Sequence, residues 1–250
     1  MVKLKTEDEI AIMKEGGAIL RSVVDEVIPW IKPGLRTEEI DKKAEELIRK
    51  KGGLPSFQTV KGFKWTTCLP VNEQAVHTPP SKRVLEDGDI ITLDIGVLYK
   101  GFHTDFAYSK IVGNNKDAEK EKFLKVGKET LDKAIKMVKL GEYLGTIAEF
   151  IHDEITKHGY FILKELTGHG IGRDLHEDPY VLNYLDRPVQ KTYKIKPGFV
   201  FALEIIYSMG TEEIIYQADN HWSINTKDGS LSGWFEKTLA VTEEKTFILT

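Results

Sequence analysis

Apolar residues in the first fifty positions recur at spacings of three and four. Ile10, Met13, Gly17, Leu20, Val24 and Val27 form one stripe, as expected of a helix that buries a single face. Thr6 and Glu9 stand in the T-x-x-E arrangement of a capping box, which starts this helix near residue 7. Pro29 and Pro33-Gly34 close it. A second helix follows, with Thr37 as its cap, Ile40, Ala44, Leu47 and Ile48 as its buried face, and Gly52-Gly53 as its stop. Over residues 87–113 the pattern changes to β-branched and aromatic residues around Tyr99-Lys100-Gly101, which predicts a β-hairpin. Helical periodicity returns at about 117–138 and 144–158, and strands fill the remainder.

The order helix, helix, hairpin thus occurs twice. Ile31-Lys32-Pro33-Gly34 is matched by Val138-Lys139-Leu140-Gly141, 107 residues on, and Lys51-Gly52 by His158-Gly159 at the same spacing. Asp87-Gly88 through Leu93-Asp94 then matches Pro197-Gly198 through Leu203-Glu204 at 110 residues, so a three-residue indel intervenes. The pattern predicts an α/β (α+β) fold made of two pseudo-equivalent halves, about 1–113 and 114–250, within one domain spanning 1–250. The duplication places Asp94 and Glu204 at equivalent points, each within an apolar strand.

Carboxylates are disfavoured in strands, and burying a lone one is costly. Asp94 nevertheless interrupts Ile-Ile-Thr-Leu-Ile-Val, and Asp105 lies across the turn from it. A hairpin centred on Tyr99-Lys100 pairs positions that sum to 199, which would set Asp94 and Asp105 directly opposite each other. Glu204 in FVFALEIIY and Glu236 in SGWFEKTLAVT repeat the anomaly. Two divalent cations would offset four such charges, and oxygen-rich ligation with one nitrogen suits Mn, Fe(II), Co or Zn. His169, framed by glycines in TGHGIG, is the expected nitrogen ligand, with His176 and His77 as further site candidates. His103 and His221 have weaker context, and His152 and His158 fall on the solvated face of a helix.

Composition narrows the class further. Hydrophobic residues make up 41% and charged residues 30%, with a net charge of −4, so a nucleic-acid footprint is not expected. The single cysteine, Cys68, fits a reducing compartment. MVKLKTEDEI has no apolar region behind its lysines, and no run approaches a membrane span, so a cytoplasmic protein without membrane contact is expected.

Together, LDIG and HTDFAYS on the hairpin, GHGIGRDLHEDP, and the strands bearing Glu204 and Glu236 resemble the methionine aminopeptidase family across nearly the whole chain. The short gap from His169 to Glu204 is similar to that of its compact bacterial type. The resemblance implies the "pita-bread" fold, an antiparallel sheet covered by two helix pairs. It also implies a dinuclear centre in which Asp94 binds one ion, Asp105 and Glu236 bridge both, and His169 and Glu204 complete the second. A metal-activated water would attack the peptide bond, with Glu204 as proton acceptor, His77 near the scissile nitrogen and His176 at the carbonyl oxygen. Cys68, Trp222 and Phe57 would form the methionine pocket, with Phe63 and Trp65 near enough to contribute. The implied substrate is the N-terminal methionine of nascent polypeptides, met in transient association with the ribosome; a monomer is the default expectation.

Four positions depart from the family pattern: Ile205 for proline, Lys237 for histidine, Thr78-Pro79-Pro80 for Gly-hydrophobic-Pro, and Leu175 for an aromatic. Neighbours in a strand point to opposite faces, so Ile205 and Lys237 should turn away from the metals. Competing readings are an Xaa-Pro-type pita-bread peptidase, a creatinase-like hydrolase acting without metal, and a non-catalytic homologue that keeps the fold.

Overall fold

The computed structural model describes residues 2–218 and 220–250. Its helices are α1 (Glu7–Trp30), α2 (Thr37–Lys50), α3 (Ala118–Met137) and α4 (Leu144–Thr156). The first-half strands are β1 (Leu54–Pro55), β2 (Thr67–Cys68), β3 (Gln74–Val76), β4 (Ile90–Tyr99) and β5 (Phe102–Ile111). The second half adds β6 (Phe161–Ile162), β7 (Gly168–Gly170), β8 (Glu177–Val181), β9 (Val200–Ser208), β10 (Ile214–Tyr216), β11 (Ile224–Thr226), β12 (Ser232–Val241) and β13 (Thr246–Ile248).

The capping box forms as expected. Glu9 N donates to Thr6 Oγ1 at 3.2 Å, and Thr6 N to Glu9 Oε2 at 3.0 Å, which satisfies two orphan amides at the start of α1. The apolar stripe is buried, with Met13, Leu20, Val23 and Val27 fully enclosed; each such side chain contributes about 1.5–3 kcal/mol. Pro29 does not end α1 but lies in its last turn, where a missing amide breaks only one hydrogen bond. Thr37 is the first residue of α2 rather than its cap. Its hydroxyl instead clasps the Ser81 backbone, and Glu39 reaches back to Arg36 N at 2.7 Å.

A central antiparallel sheet runs in the order β1-β4-β5-β12-β9-β7-β8, with β2 on β4, β6 on β9 and β13 on β12. A small second sheet has the order β10-β11-β3. Helices α1 and α2 pack on Ile91, Leu93, Ile95 and Val97 of β4, and α3 and α4 on Phe199, Phe201, Leu203, Ile205 and Tyr207 at β9. One helix pair therefore covers each half of the same sheet face. By alternation, the intervening residues of β4, β5, β9 and β12 point to the other face.

The hairpin register differs from the expectation. Tyr99 pairs with Phe102, Gly96 with Asp105 and Asp94 with Ala107. The turn consists of Lys100 and Gly101 alone, at φ 47° and 83°, the left-handed pair that a two-residue hairpin turn requires. The shift is two residues, so parity is preserved: Asp94 and Asp105 remain on one face but sit diagonally rather than opposite.

Candidate metal centre

The sheet assembles a transverse row of side chains on its helix-free face. Asp94 pairs with Ala107, Ala107 with Glu236, and Glu236 with Glu204, across β4, β5, β12 and β9. Cys68 extends the row beyond Asp94, and His169 enters two residues along β9 from Glu204, opposite Ala202. Asp105 lies two residues from Ala107 and so shares the face. Gly170 lets β7 come close to β8, because a Cβ there would lie 2.3 Å from the Asp178 carbonyl oxygen.

All five sequence-predicted ligands are thus brought together and buried: Asp94, Asp105, His169, Glu204 and Glu236 are each 6% exposed or less. One ligand atom each of Asp105, His169 and Glu236 lies within 4.8 Å of the others. His169 Nε2 is 3.9 Å from Glu204 Oε1. The other ring nitrogen, Nδ1, lies 2.9 Å from the Gly170 carbonyl oxygen. A carbonyl only accepts, so Nδ1 carries the proton and Nε2 presents a lone pair to the carboxylates.

Like charges facing each other across strands are destabilising, and several of these carboxylate oxygens lack protein partners. Asp94 Oδ1 and both carboxylate oxygens of Glu236 have no hydrogen-bond partner in the structure. Burial, reinforced by the neighbouring carboxylates, pushes Asp94, Glu204 and Glu236 well above the usual range, and burial raises Asp105 to about 7. Burial likewise lowers His169 to about 3, so the imidazole is neutral. Orphaned oxygens converging with a neutral imidazole nitrogen form a donor set that fits divalent cations.

A pH dependence follows for protein stripped of metal. Carboxylates whose folded pKa is raised contribute stability below their unfolded pKa, near 4, and lose it as pH rises through the folded value. Chelated protein should therefore melt lower at pH 8 than at pH 7, a window above the ordinary histidine pKa in which the buried imidazoles are largely neutral folded and unfolded alike, and added Mn(II) should raise the melting temperature more at pH 8. Thermal denaturation at the two pH values, with and without metal, checks both.

Above the row lies a cavity of about 440 Å³ with two apolar walls. Phe57, Phe63, Cys68, Leu175 and Trp222 form one. Phe63 meets Trp222 edge-on at 5.2 Å and Trp65 at 5.1 Å. Trp65 only backs this wall and does not line the cavity. Asn220 fixes Trp222, its Oδ1 accepting from the amides of Trp222 and Ser223. The Cys68 thiol adjoins Asp94, and burial keeps its pKa high, so it acts as a soft apolar contact.

His77 and His176 both enter this cavity. Each ring is exposed by surface area yet enclosed by protein on most sides, and that enclosure lowers both pKa values. The His176 ring lies 4.4 Å from that of His169. His77 has φ 54°, a left-handed conformation that costs a non-glycine residue about 1–3 kcal/mol and clusters at functional sites. The loop bearing His176 is tied down by Glu177, which accepts from Arg173 N and Asp174 N and pairs with buried Lys5 at 2.5 Å.

The departures fall where strand alternation puts them. Ile205 packs among the α3/α4 core residues, and the Lys237 ammonium sits 4.2 Å above the Phe106 ring on the helix side. Thr78 and Leu175 are buried, and Leu175 lines the cavity. His103 is buried against Ser56 Oγ at 2.6 Å, while His152 and His158 face solvent. Sequence reasoning missed the second cavity wall, formed by Val76, Leu166, Ile206 and Trp234. Its signal was available: Ile206 and Trp234 lie two residues from Glu204 and Glu236, hence on the same strand face.

A family model described as "Metallopeptidase family M24" matches residues 11–243. The "Methionine aminopeptidase 1" of Bacillus subtilis is 41% identical over 250 residues, 100% of this chain and 99% of the relative. The crystal structure of a methionine aminopeptidase from Thermotoga maritima superposes with a TM-score of 0.95 at 35% identity, covering 100% of this chain and 99% of the other. A prolidase from Pyrococcus furiosus has a TM-score of 0.79 at 22% identity, with 99% of this chain aligned to 65% of that one, which shows a shared fold. Among the described residues, no helix is long and apolar enough to cross a membrane.

Proposed function

The chain belongs to metallopeptidase family M24, and from that premise we propose that it is a methionine aminopeptidase removing the N-terminal methionine of polypeptides with two divalent ions. The observation that carries this reading is the buried row Asp94, Glu236 and Glu204 with Asp105 and His169, whose orphaned oxygens call for cations. Asp94 would hold one ion, Asp105 and Glu236 would bridge, and His169 and Glu204 would hold the other. Bound there, divalent ions supply Lewis acidity and a water of lowered pKa.

The chain's own residues supply the rest. Phe57, Phe63, Cys68, Leu175 and Trp222 enclose a flexible thioether side chain, for which polarisable and aromatic contacts are well suited. This wall would also orient the substrate's first residue. His77 and His176 are neutral at pH 7, so each offers one N–H donor and one acceptor. His77 would serve the scissile nitrogen, and His176 would stabilise charge growing on the carbonyl oxygen. Glu204, with its affinity for protons raised by burial, would accept a proton and return it towards the leaving amine.

Incubation with metal of two peptides, Met-Gly-Met and Ala-Pro-Gly, tests the substrate assignment. Free methionine from the first, with the second intact, is expected. Cleavage of Ala-Pro-Gly alone would move the chain to the proline-specific branch represented by the prolidase fold neighbour.

A further inference from the structure

The ladder between β5 and β12 breaks beside a ligand. Its backbone register runs Phe235↔Tyr108, Glu236↔Ala107 and Lys237↔Phe106. Thr238 and Asp105 come next in that register, one step beyond the last paired residues, and here a side chain joins the two strands. Asp105 N donates to Thr238 Oγ1 at 2.8 Å, and the same hydroxyl donates to the Asp105 carbonyl at 2.8 Å. The Thr238 backbone pairs with the C-terminal segment that follows β13: its amide donates to Thr250 Oγ1 at 3.0 Å and its carbonyl accepts from Leu249 N at 2.9 Å, and the Thr250 hydroxyl donates to the Asp105 carbonyl at 3.1 Å. Every donor and acceptor balances: each hydroxyl gives one proton and accepts one.

Both threonines are buried, at 0% and 1% exposure, and a buried hydroxyl costs free energy unless it is fully bonded. Two hydroxyls thus bridge the point where β12 passes from β5 to the C-terminal segment, and both act on one residue. Asp105 is held through its amide and twice through its carbonyl, while its own Oδ1 accepts from Phe106 N at 2.9 Å. That last contact leaves the rest of the carboxylate directed into the site with Glu236 and His169.

We propose that Thr238, with Thr250 as its relay, is a positioning residue: the hydroxyl clasp fixes the Asp105 amide and carbonyl at the end of the β5–β12 ladder and so aims its carboxylate at the metal site. This rests on Asp105 being a metal ligand, as proposed above. Supporting groups that orient a ligand typically contribute about 10- to 100-fold to metal affinity. Thr238→Val keeps the shape and deletes the hydroxyl; Thr238→Ser keeps the hydroxyl.

The test is calorimetric titration of the metal-stripped full chain with Mn(II), alongside its melting temperature. Thr238→Val should bind Mn(II) about 10- to 100-fold more weakly while still unfolding cooperatively, and Thr238→Ser should bind like the unaltered protein. Equal affinity in folded Thr238→Val, or no rescue by serine, would overturn the proposal. If Thr238→Val does not fold, Thr250→Val decides: a smaller loss of affinity supports the clasp, and unchanged affinity overturns it. Asp105→Asn in the same titration separates the two levels, because normal binding there would instead remove Asp105 from the ligand set.

Discussion

Replacing Glu236 by glutamine is expected to abolish turnover and metal loading together, while the metal-free protein becomes more stable. Glu236 is the most central carboxylate of the row, facing Glu204 on one side and Ala107 on the other, and is 1% exposed. Neither of its oxygens has a protein partner, so nothing but a cation offsets its charge. Removal of one group that stabilises developing charge costs about 10²–10³-fold in turnover, and loss of a residue proposed to hold both ions should exceed that. The stability change has the opposite sign. An uncompensated buried charge is destabilising, and glutamine keeps the volume without the charge, so a gain of about 1–3 kcal/mol is expected for metal-free protein. Denaturation with and without chelator, beside elemental analysis, checks both halves. Full activity in Glu236→Gln would sink the dinuclear assignment.

Substitution at His77 should separate chemistry from metal binding. His77 lines the cavity but is not part of the ligand row, so its loss should cut turnover by about 10²–10³-fold with metal content unchanged. Asparagine is the better variant, since it tolerates the left-handed backbone at φ 54°. Alanine would add backbone strain to the loss of the ring. Metal loss from a folded His77→Asn protein would instead make His77 a ligand and revise the site.

Much of this was legible in the sequence, for identifiable reasons. A carboxylate inside an apolar strand is a local contradiction, and such contradictions mark functional sites. Asp94, Glu204 and Glu236 stood out on that ground alone, and the glycine framing singled out His169. The helix stripes were readable because helical periodicity is a local property. Register was not. Whether the turn centres on Tyr99-Lys100 or on Lys100-Gly101 changes the pairing by two residues, and only the left-handed φ values of the second pair settle it. The second cavity wall was hidden because Trp234 and Ile206 look like ordinary strand hydrophobics. Only their parity with Glu236 and Glu204 turns them towards the site. The Thr238–Thr250 clasp joins segments far from Asp105 in the chain, so no local pattern announces it.

A dinuclear methionine aminopeptidase stands or falls on release of free methionine from Met-Gly-Met by metal-stripped protein as Mn(II), Co(II), Fe(II) or Zn(II) is added stepwise. No release is expected without metal, and release should rise with added ion towards two equivalents. Undiminished release from the stripped protein, or metal binding at this site with no release for any of the four ions, would contradict the assignment.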